Sequence, residues 1–213
     1  MKIIDCNIKE NLRKYYNREA EYRNVSTKQE WKLAERQAFL NLAKAEGKQT
    51  LLELGAGTGD DSLFFLENGL TVTAIDLSCE MVKRCKEKGI CAYELDYYQV
   101  ATLDRKYECI WAMNSLLHVP KAELPQVLAN IDCVLEQNGI FFMGVYGGEN
   151  TENEYIREEL SQYPRFFSYF SKDALQEVLA QQFEIISFKQ YDVQRGRSHE
   201  FQSVLMRKKA AAK

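Results

Sequence analysis

Beyond Gly47 the chain alternates short apolar runs with amphipathic stretches, and this alternation limits the fold more than any other feature of the sequence. The apolar runs are TLLEL, LTVTAID, ICAYELD, YECIWAMN and IFFMGVYGG, and helical or polar segments separate them. Strand–helix–strand units of this kind build a parallel sheet that is covered by helices on both faces. We therefore predict an α/β fold with a doubly wound sheet.

The pattern divides the chain into four segments, which we predict to form a single domain over residues 1–213. Residues 1–46 have the periodicity of helices and would cap the domain, and residues 47–146 would form its core. Residues 147–170 would form an active-site excursion over the sheet edge, because the chain is polar from Gly147 to Pro164. Residues 171–213 contain one helix and two β-like runs, which we expect to pair antiparallel because a short turn joins them.

Helix boundaries can be predicted at several positions. Ser26 or Thr27 is a plausible N-terminal cap for the second helix, and Gly47 a plausible end. The dipeptide Asn138-Gly139 is expected to end the helix before the last parallel strand. The buried stripe of that helix is predicted to be Leu124, Val127, Leu128, Ile131 and Leu135.

Composition narrows the range of partners. The net charge of −3 and the pI near 5.6 provide no basic field for a polyanion, so nucleic acid is a disfavoured partner. The chain lacks both an apolar signal region and a run of the ~20 apolar residues that a membrane span needs, and we expect a cytoplasmic protein. The six cysteines include no CxxC pair, so we expect reduced thiols and neither disulfides nor a metal site.

A glycine-rich turn follows the first predicted strand. Gly55, Gly57 and Gly59 open a helix, in the context of a nucleotide-binding turn. A dinucleotide turn would also have glycine at the sixth position, where this chain has Asp60, followed by Asp61. A carboxylate ~4 Å from a phosphate is repelled by roughly 4 kcal/mol at an effective dielectric of ~20. We therefore expect a ligand that is not a pyrophosphate.

Acidic residues also end or adjoin three successive strands. Glu53 precedes the turn, Asp76 ends the second strand and Asp96 ends the third. Ligands of open α/β sheets bind at the carboxyl edge of the strands, where a carboxylate can accept from both ribose hydroxyls. A nucleoside that carries a sulfonium and an ammonium would suit this acidic edge. Each acid has an alternative role, since acids after strands also cap neighbouring backbone groups.

With these motifs, residues 50–146 resemble the core of a class I S-adenosylmethionine (SAM)-dependent methyltransferase. The segments that carry the resemblance are LLELGAGTGDDSLFF, VTAIDLS, ELDYY, YECIWAMNSLLHV and VLEQNGIFFMGVY. The resemblance implies a Rossmann-like, seven-stranded sheet that is mostly parallel, with the last strand antiparallel. It also implies SAM as the methyl donor and S-adenosylhomocysteine (SAH) as the product.

The resemblance also implies roles for individual positions. Glu53 and Gly55 would lie by the methionine end of the cofactor, Asp76 would hold the ribose, and Asn114 and Ser115 would face the methyl group. The positions that would surround the adenine are Leu77, Met81, Asp96 and Tyr97. The full predicted cofactor set is Glu53, Gly55, Ala56, Gly57, Asp76, Leu77, Met81, Asp96, Tyr97, Asn114 and Ser115.

The acceptor side is less constrained by the sequence. His118 follows the fourth strand and is either a general base or a residue that orders a turn, since its ordinary pKa of ~6.5 would suit proton removal. Arg165 is the candidate for contact with an anionic group of the substrate. Tyr16 and Tyr22 would line a helical cap over the site and could also reach the methionine end of the cofactor.

We predict methyl transfer to a small-molecule acceptor by in-line displacement, because the chain is compact and acidic. A protein or tRNA acceptor is the first alternative. A nicotinamide-binding oxidoreductase is a second one, against which Asp60 argues. A module that binds the cofactor without turnover is a third. Oligomeric state and the acceptor atom stay open.

Overall fold

The computed structural model describes residues 6–25, 28–157, 161–195 and 198–210. The predicted cap of the second helix, Ser26 or Thr27, lies outside these residues. Within them, no helix is both long and apolar enough to cross a membrane.

The centre of the described chain is a seven-stranded sheet with the strand order β3-β2-β1-β4-β5-β9-β8. Strands β1 to β5 run parallel, and β9 is antiparallel to both of its neighbours, β5 and β8. The predicted sheet, with its antiparallel last strand, is thereby confirmed. The strands are β1 (Thr50–Leu54), β2 (Thr71–Asp76), β3 (Cys91–Glu94), β4 (Tyr107–Met113), β5 (Leu135–Gly147), β8 (Phe183–Arg195) and β9 (Ser198–Lys208).

Helices cover both faces of this sheet, and a separate hairpin lies beyond its carboxyl edge. The hairpin consists of β6 (Glu152–Arg157) and β7 (Ser161–Ser168), paired antiparallel. It occupies the predicted excursion, whose strands the sequence reading did not anticipate. The helices are α1 (Cys6–Asn24), α2 (Glu30–Ala45), α3 (Asp60–Glu67), α4 (Cys79–Glu87), α5 (Leu124–Val134) and α6 (Lys172–Gln182), with 3₁₀ turns at Tyr97–Thr102 and Leu116–His118.

The side chains of β4 point alternately to the two faces of the sheet, and because they are apolar on both faces, both faces must be covered by helices. Ile110 and Ala112 belong to the larger core cluster, which includes the buried residues of α5 and α6. Cys109 and Trp111 belong to a second cluster, which α2 and α3 complete. Successive side chains of a strand point to opposite faces, so a strand that is apolar at every position must be buried on both sides. Trp111 stacks on Phe142 with the ring centroids 4.0 Å apart.

The end of α5 differs from the prediction. The helix ends at Val134, and Leu135 already pairs with Tyr107 as the first residue of β5. Asn138, at φ +62°, forms a bend inside the strand and does not end the helix. The predicted stripe is buried throughout, but Leu135 reaches the core from a strand. Pairing with β4 therefore overrides the local helical pattern at this position.

The first two helices are confirmed as helical, and α1 lies over the carboxyl edge of the sheet. It packs mainly on β7 and α4. Helix α2 ends at Ala45, and Gly47 follows with a φ of +68°, in agreement with the predicted end. The limits of the domain at residues 1–213 stay a prediction.

Candidate active site

The glycine turn between β1 and α3 is shaped by two close approaches. Gly55 has a φ of +68°, and a Cβ at this position would lie 2.4 Å from the Cβ of Ser115. Gly59 has a φ of +83°, and a Cβ there would lie 2.7 Å from Ile90. Residues other than glycine rarely adopt this left-handed backbone conformation, because their Cβ would clash. The turn thus sits directly against the end of β4.

Asp76 is held at the end of β2 by two backbone amides. Gly57 N–H donates to Oδ2 at 2.8 Å, and Ser78 N–H donates to Oδ1 at 2.9 Å. Desolvation raises the pKa of Asp76 to about 6, although these two hydrogen bonds oppose it. Each carboxylate oxygen accepts more than one hydrogen bond, so both keep capacity for a ligand.

Glu53 is the second buried acid of the site, with 3% of its surface exposed. Its Oε2 accepts a short hydrogen bond from the hydroxyl of Ser62. Burial and the nearby charge of Asp61 raise the pKa of Glu53 to about 8, against the opposing effect of Lys28. Glu53 is therefore largely protonated at neutral pH, and a cation placed beside it would favour its ionised form.

Asp61 is compensated inside the protein. Lys28 Nζ lies 2.5 Å and Arg36 Nη1 2.9 Å from its Oδ1, and Trp111 Nε1–H donates to its Oδ2 at 3.1 Å. Burial alone would raise the pKa of Asp61, but the two cations and these hydrogen bonds lower it. The residue is ionised and belongs to a buried ion-pair network.

This network corrects one step of the sequence argument. Asp60 and Asp61 were expected to face the ligand and to repel a phosphate. Instead, Asp60 pairs with Lys88 at 2.7 Å, and Asp61 turns inward to Lys28 and Arg36. Their charges are locally neutralised, so the acidic side chains that line the cleft between the sheet and α1 are Asp76 and Asp96.

A narrow central cleft lies between the carboxyl edge of the sheet and α1. Among the predicted residues, it is lined by Gly55, Asp76, Leu77, Asp96, Tyr97 and His118. Helix α1 contributes Ile8, Lys9 and Leu12.

Two polar side chains of α1 tie the helix to this edge. Lys9 Nζ lies 2.5 Å from Asp96 Oδ2, while Asp96 Oδ1 accepts from Tyr98 N–H at 3.0 Å. The hydroxyl of Ser78 donates to Asn17 Oδ1 at 2.6 Å. Sequence analysis missed Lys9 and Asn17, because polar positions on an amphipathic helix give no signal of their partners.

His118 is buried and makes two hydrogen bonds, which together define its tautomer. Nδ1 lies 2.6 Å from the carbonyl oxygen of Phe166, which can only accept, so Nδ1 carries the proton. Nε2 therefore accepts from the hydroxyl of Tyr16 at 2.6 Å. Burial lowers the pKa of His118 to about 3, with smaller contributions from Arg165 and Arg23. The imidazole is neutral at physiological pH.

Asn114 and Ser115 lie at the end of β4 beside Gly55. Asn114 has a φ of +58°, which is uncommon outside glycine and often marks a functional position. Asn114 Oδ1 and Ser115 Oγ are buried without a hydrogen-bond partner among the described residues. Buried polar groups are normally paired, so these two atoms fit a site that a polar ligand completes.

The other predicted residues are distributed unevenly. Ala56, Gly57 and Met81 are not among the residues that line the cleft, and Met81 is a buried residue of α4. Arg165 lies on the ring of Tyr15, on the hairpin side of His118. Tyr22 is 60% exposed and is not brought to the cleft. No group of three or more metal-ligating side chains occurs among the described residues.

Comparison with known proteins places this geometry in a family. Residues 51–139, which include the glycine turn, Asp76, Asp96 and His118, match the sequence model of the methyltransferase domain. Residues 51–139 thus form a methyltransferase domain. The predicted family and fold are thereby confirmed.

One curated relative of this methyltransferase domain is malonyl-[acyl-carrier protein] O-methyltransferase of Hamiltonella defensa. It is 28% identical over 134 residues, which are 62% of this chain and 51% of that protein. The match thus spans about half the length of the relative.

Solved structures extend the similarity over nearly the whole chain. One is the 1,6-didemethyltoxoflavin N1-methyltransferase of Burkholderia thailandensis, which was solved with 1,6-didemethyltoxoflavin and SAH. It has a TM-score of 0.69 at 22% sequence identity, and the match covers 94% of this chain and 88% of that chain. Magnesium protoporphyrin IX methyltransferase of Synechocystis, solved with SAM, has a TM-score of 0.69 at 14% identity, with 98% and 100% covered. At these identities, the similarity shows the fold.

Proposed function

We propose that this protein transfers a methyl group from SAM to a small-molecule acceptor by in-line displacement. The observation that carries the proposal is the position of Asp76, which is fixed at the end of β2 by the amides of Gly57 and Ser78 and lines a cleft with Gly55. In the proposal, the free lone pairs of Asp76 accept from the ribose hydroxyls.

The remaining cofactor contacts follow the same edge. Glu53 would face the ammonium of the methionine moiety, and Asn114 Oδ1 and Ser115 Oγ would gain partners there. The residues proposed for the adenine end are Leu77, Asp96 and Tyr97. Because Lys9 pairs with Asp96, we expect an adenine amino group to share or displace that contact.

When bound, SAM supplies an electrophilic methyl group. The protein then has to hold the acceptor in line, with the reacting atoms ~3–3.5 Å apart, and such positioning is worth ~7–11 kcal/mol. Helix α1 packs against both α4 and β7 and so spans the cleft from the cofactor side to the hairpin. We propose that α1 and the hairpin together exclude water from the acceptor.

Tyr16 and His118 are proposed to handle the acceptor proton. The Oη of Tyr16 can accept from an acceptor hydroxyl or amine, because its own proton is directed to His118 Nε2. As the acceptor acquires its methyl group its proton becomes acidic, and it can pass to Tyr16 Oη while the Tyr16 proton passes to Nε2. For a hydroxyl acceptor the methylated oxygen is an oxonium, which is acidic enough to protonate an imidazole whose pKa is about 3. The imidazole would not ionise an acceptor in advance.

A small or carrier-bound acceptor is supported by the relatives. The solved Burkholderia enzyme holds a small heterocycle, and the name of the curated relative indicates a malonyl group on a carrier protein. The net charge of −3 argues against tRNA.

Calorimetric titration of the purified protein with SAM, SAH and NADH tests the proposal. We expect SAM and SAH to bind and NADH not to bind. Asp76→Asn should weaken SAM binding by about a hundredfold, because hydrogen bonds to a charged group are worth ~1.5–3 kcal/mol each. Asp104→Asn, at an exposed position, is the matched control and should leave the affinity unchanged. Absence of SAM binding to the wild type would refute the proposed function.

A further inference from the structure

Arg165 occupies an unusual position on β7, facing α1. Its guanidinium carbon lies 4.4 Å from the ring centroid of Tyr15 and 5.0 Å from that of Phe167. Such contacts hold a cation in place without neutralising it. The side chain is half-buried, so the charge is only partly hydrated.

The charge of Arg165 has no acidic partner among the described residues. Its Nε is buried and makes no hydrogen bond with them, and no carboxylate among them lies within 4 Å of the guanidinium. Glu19 is a buried acid that acts on Tyr15, but it does not pair with Arg165. By contrast, four other arginines pair with carboxylates: Arg13, Arg36, Arg84 and Arg207. Arg18 and Arg105 are exposed to water.

The position of Arg165 also connects it to the reaction site. The ring of Tyr15 lies 5.3 Å from that of Tyr16, whose hydroxyl bonds to His118. The next residue along β7, Phe166, accepts from the other nitrogen of His118. His118 in turn lines the central cleft with Gly55 and Asp76. Arg165 therefore lies next to the Tyr16–His118 pair, whose histidine lines the cleft.

We infer that Arg165 binds an oxyanion of the methyl acceptor, a carboxylate or a phosphate. This inference rests on the proposed function. A guanidinium presents two parallel N–H groups that match the two oxygens of such a group, and its buried Nε is a donor without an acceptor. An anionic acceptor also complements the positive charge that the cofactor brings to the site. Arg165 thus acts as a specificity-determining residue for acidic acceptors.

NMR of the SAH-loaded protein tests this assignment without the natural acceptor. The probes are benzoate and phenyl phosphate, with benzamide as the uncharged counterpart of benzoate. We expect both oxyanions to shift the Nε–Hε resonance of Arg165 saturably, and their relative affinities distinguish a carboxylate site from a phosphate site. Benzamide should bind at least about tenfold more weakly.

Two substitutions separate recognition from folding. Arg165→Lys keeps a cation on the two rings but loses Nε and the paired geometry, and it should weaken benzoate binding by about tenfold. Arg18→Gln is the matched control, because Arg18 also lies on a tyrosine ring of β7, 5.4 Å from the centroid of Tyr163, but is exposed. This variant should bind benzoate as the wild type does.

The outcomes distinguish this inference from the proposed function. Equal shifts by benzoate and benzamide, or equal binding by the Arg165→Lys and Arg18→Gln variants, would overturn the oxyanion site while SAH binding stays intact. A wild-type protein that does not bind SAH would overturn the proposed function, and the inference with it.

Discussion

Replacing Glu53 with glutamine should change how the stability of the protein depends on pH. The pKa of Glu53 rises from 4.5 to about 8 in the folded protein, with burial as the largest cause. Each pKa unit corresponds to ~1.4 kcal/mol, so ionisation of Glu53 costs the folded state at most about 5 kcal/mol. Glutamine keeps an oxygen that can accept from Ser62 but cannot ionise.

The sign follows from proton binding. Between pH 4.5 and about 8 the folded protein keeps a proton on Glu53 that the unfolded chain has released. The free energy of unfolding therefore falls as pH rises through this window, by up to ~1.4 kcal/mol per pH unit, and levels off above it. The Glu53→Gln variant lacks this loss, so its stability relative to the wild type should increase as pH rises.

Urea unfolding, followed by tryptophan fluorescence at pH 5.5, 6.5, 7.5 and 8.5, measures the effect. We expect the difference in the free energy of unfolding between variant and wild type to shift by roughly 3 kcal/mol in favour of the variant. Glu108→Gln is the control. Hydrogen bonds, above all the one from Gln49 N–H, lower the pKa of Glu108, so its contribution is lost only as pH falls below 4.5. A pH-independent difference for Glu53→Gln, or one of opposite sign, would refute the reasoning.

Three further predictions concern the site. Binding of SAH at pH 7 should release up to one proton from the wild type and fewer from Glu53→Gln, because the ligand ammonium favours ionised Glu53. Titration calorimetry in buffers of different ionisation enthalpy measures the number of protons released. Equal release from both proteins would contradict the placement of the ammonium beside Glu53. The Tyr16→Phe substitution leaves His118 Nε2 unpaired and should lower the free energy of unfolding by ~1–3 kcal/mol. It should also lower kcat at least about tenfold while SAM affinity stays within about twofold of the wild type. An unchanged kcat would exclude Tyr16 from proton transfer. The Gly55→Ala substitution should destabilise the protein more than Gly69→Ala does. Both glycines have a positive φ, but only at Gly55 would a Cβ lie 2.4 Å from the Cβ of Ser115. Equal losses of thermal stability in the two variants would show that the glycine turn can shift to relieve this clash.

The local pattern of apolar residues was sufficient to predict the strands of the central sheet, and the positions of the acidic residues were sufficient to predict that they meet at one edge. Apart from β3, where Tyr93 is 51% exposed, the apolar runs are largely buried strands, and a strand that is apolar at every position fits only a sheet that is covered on both faces. Glu53, Asp76 and Asp96 come together because parallel strands end at one edge. The same logic located His118 but did not distinguish a base from an ordering residue, and its pairing with Tyr16 spans 102 positions of the chain.

The sequence by itself determined the order of the strands and helices of the central sheet, the glycine turn and the acidic edge, because each depends on residues close together in the chain. Only the tertiary structure decided where α5 ends, which cations neutralise Asp60 and Asp61, and what Arg165 packs against. These features depend on partners far away in sequence: Leu135 joins β4, Asp61 meets Lys28 and Arg36, and Arg165 lies on Tyr15. Tertiary packing brings these residues together, and it cannot be predicted from the pattern of neighbouring residues in the chain.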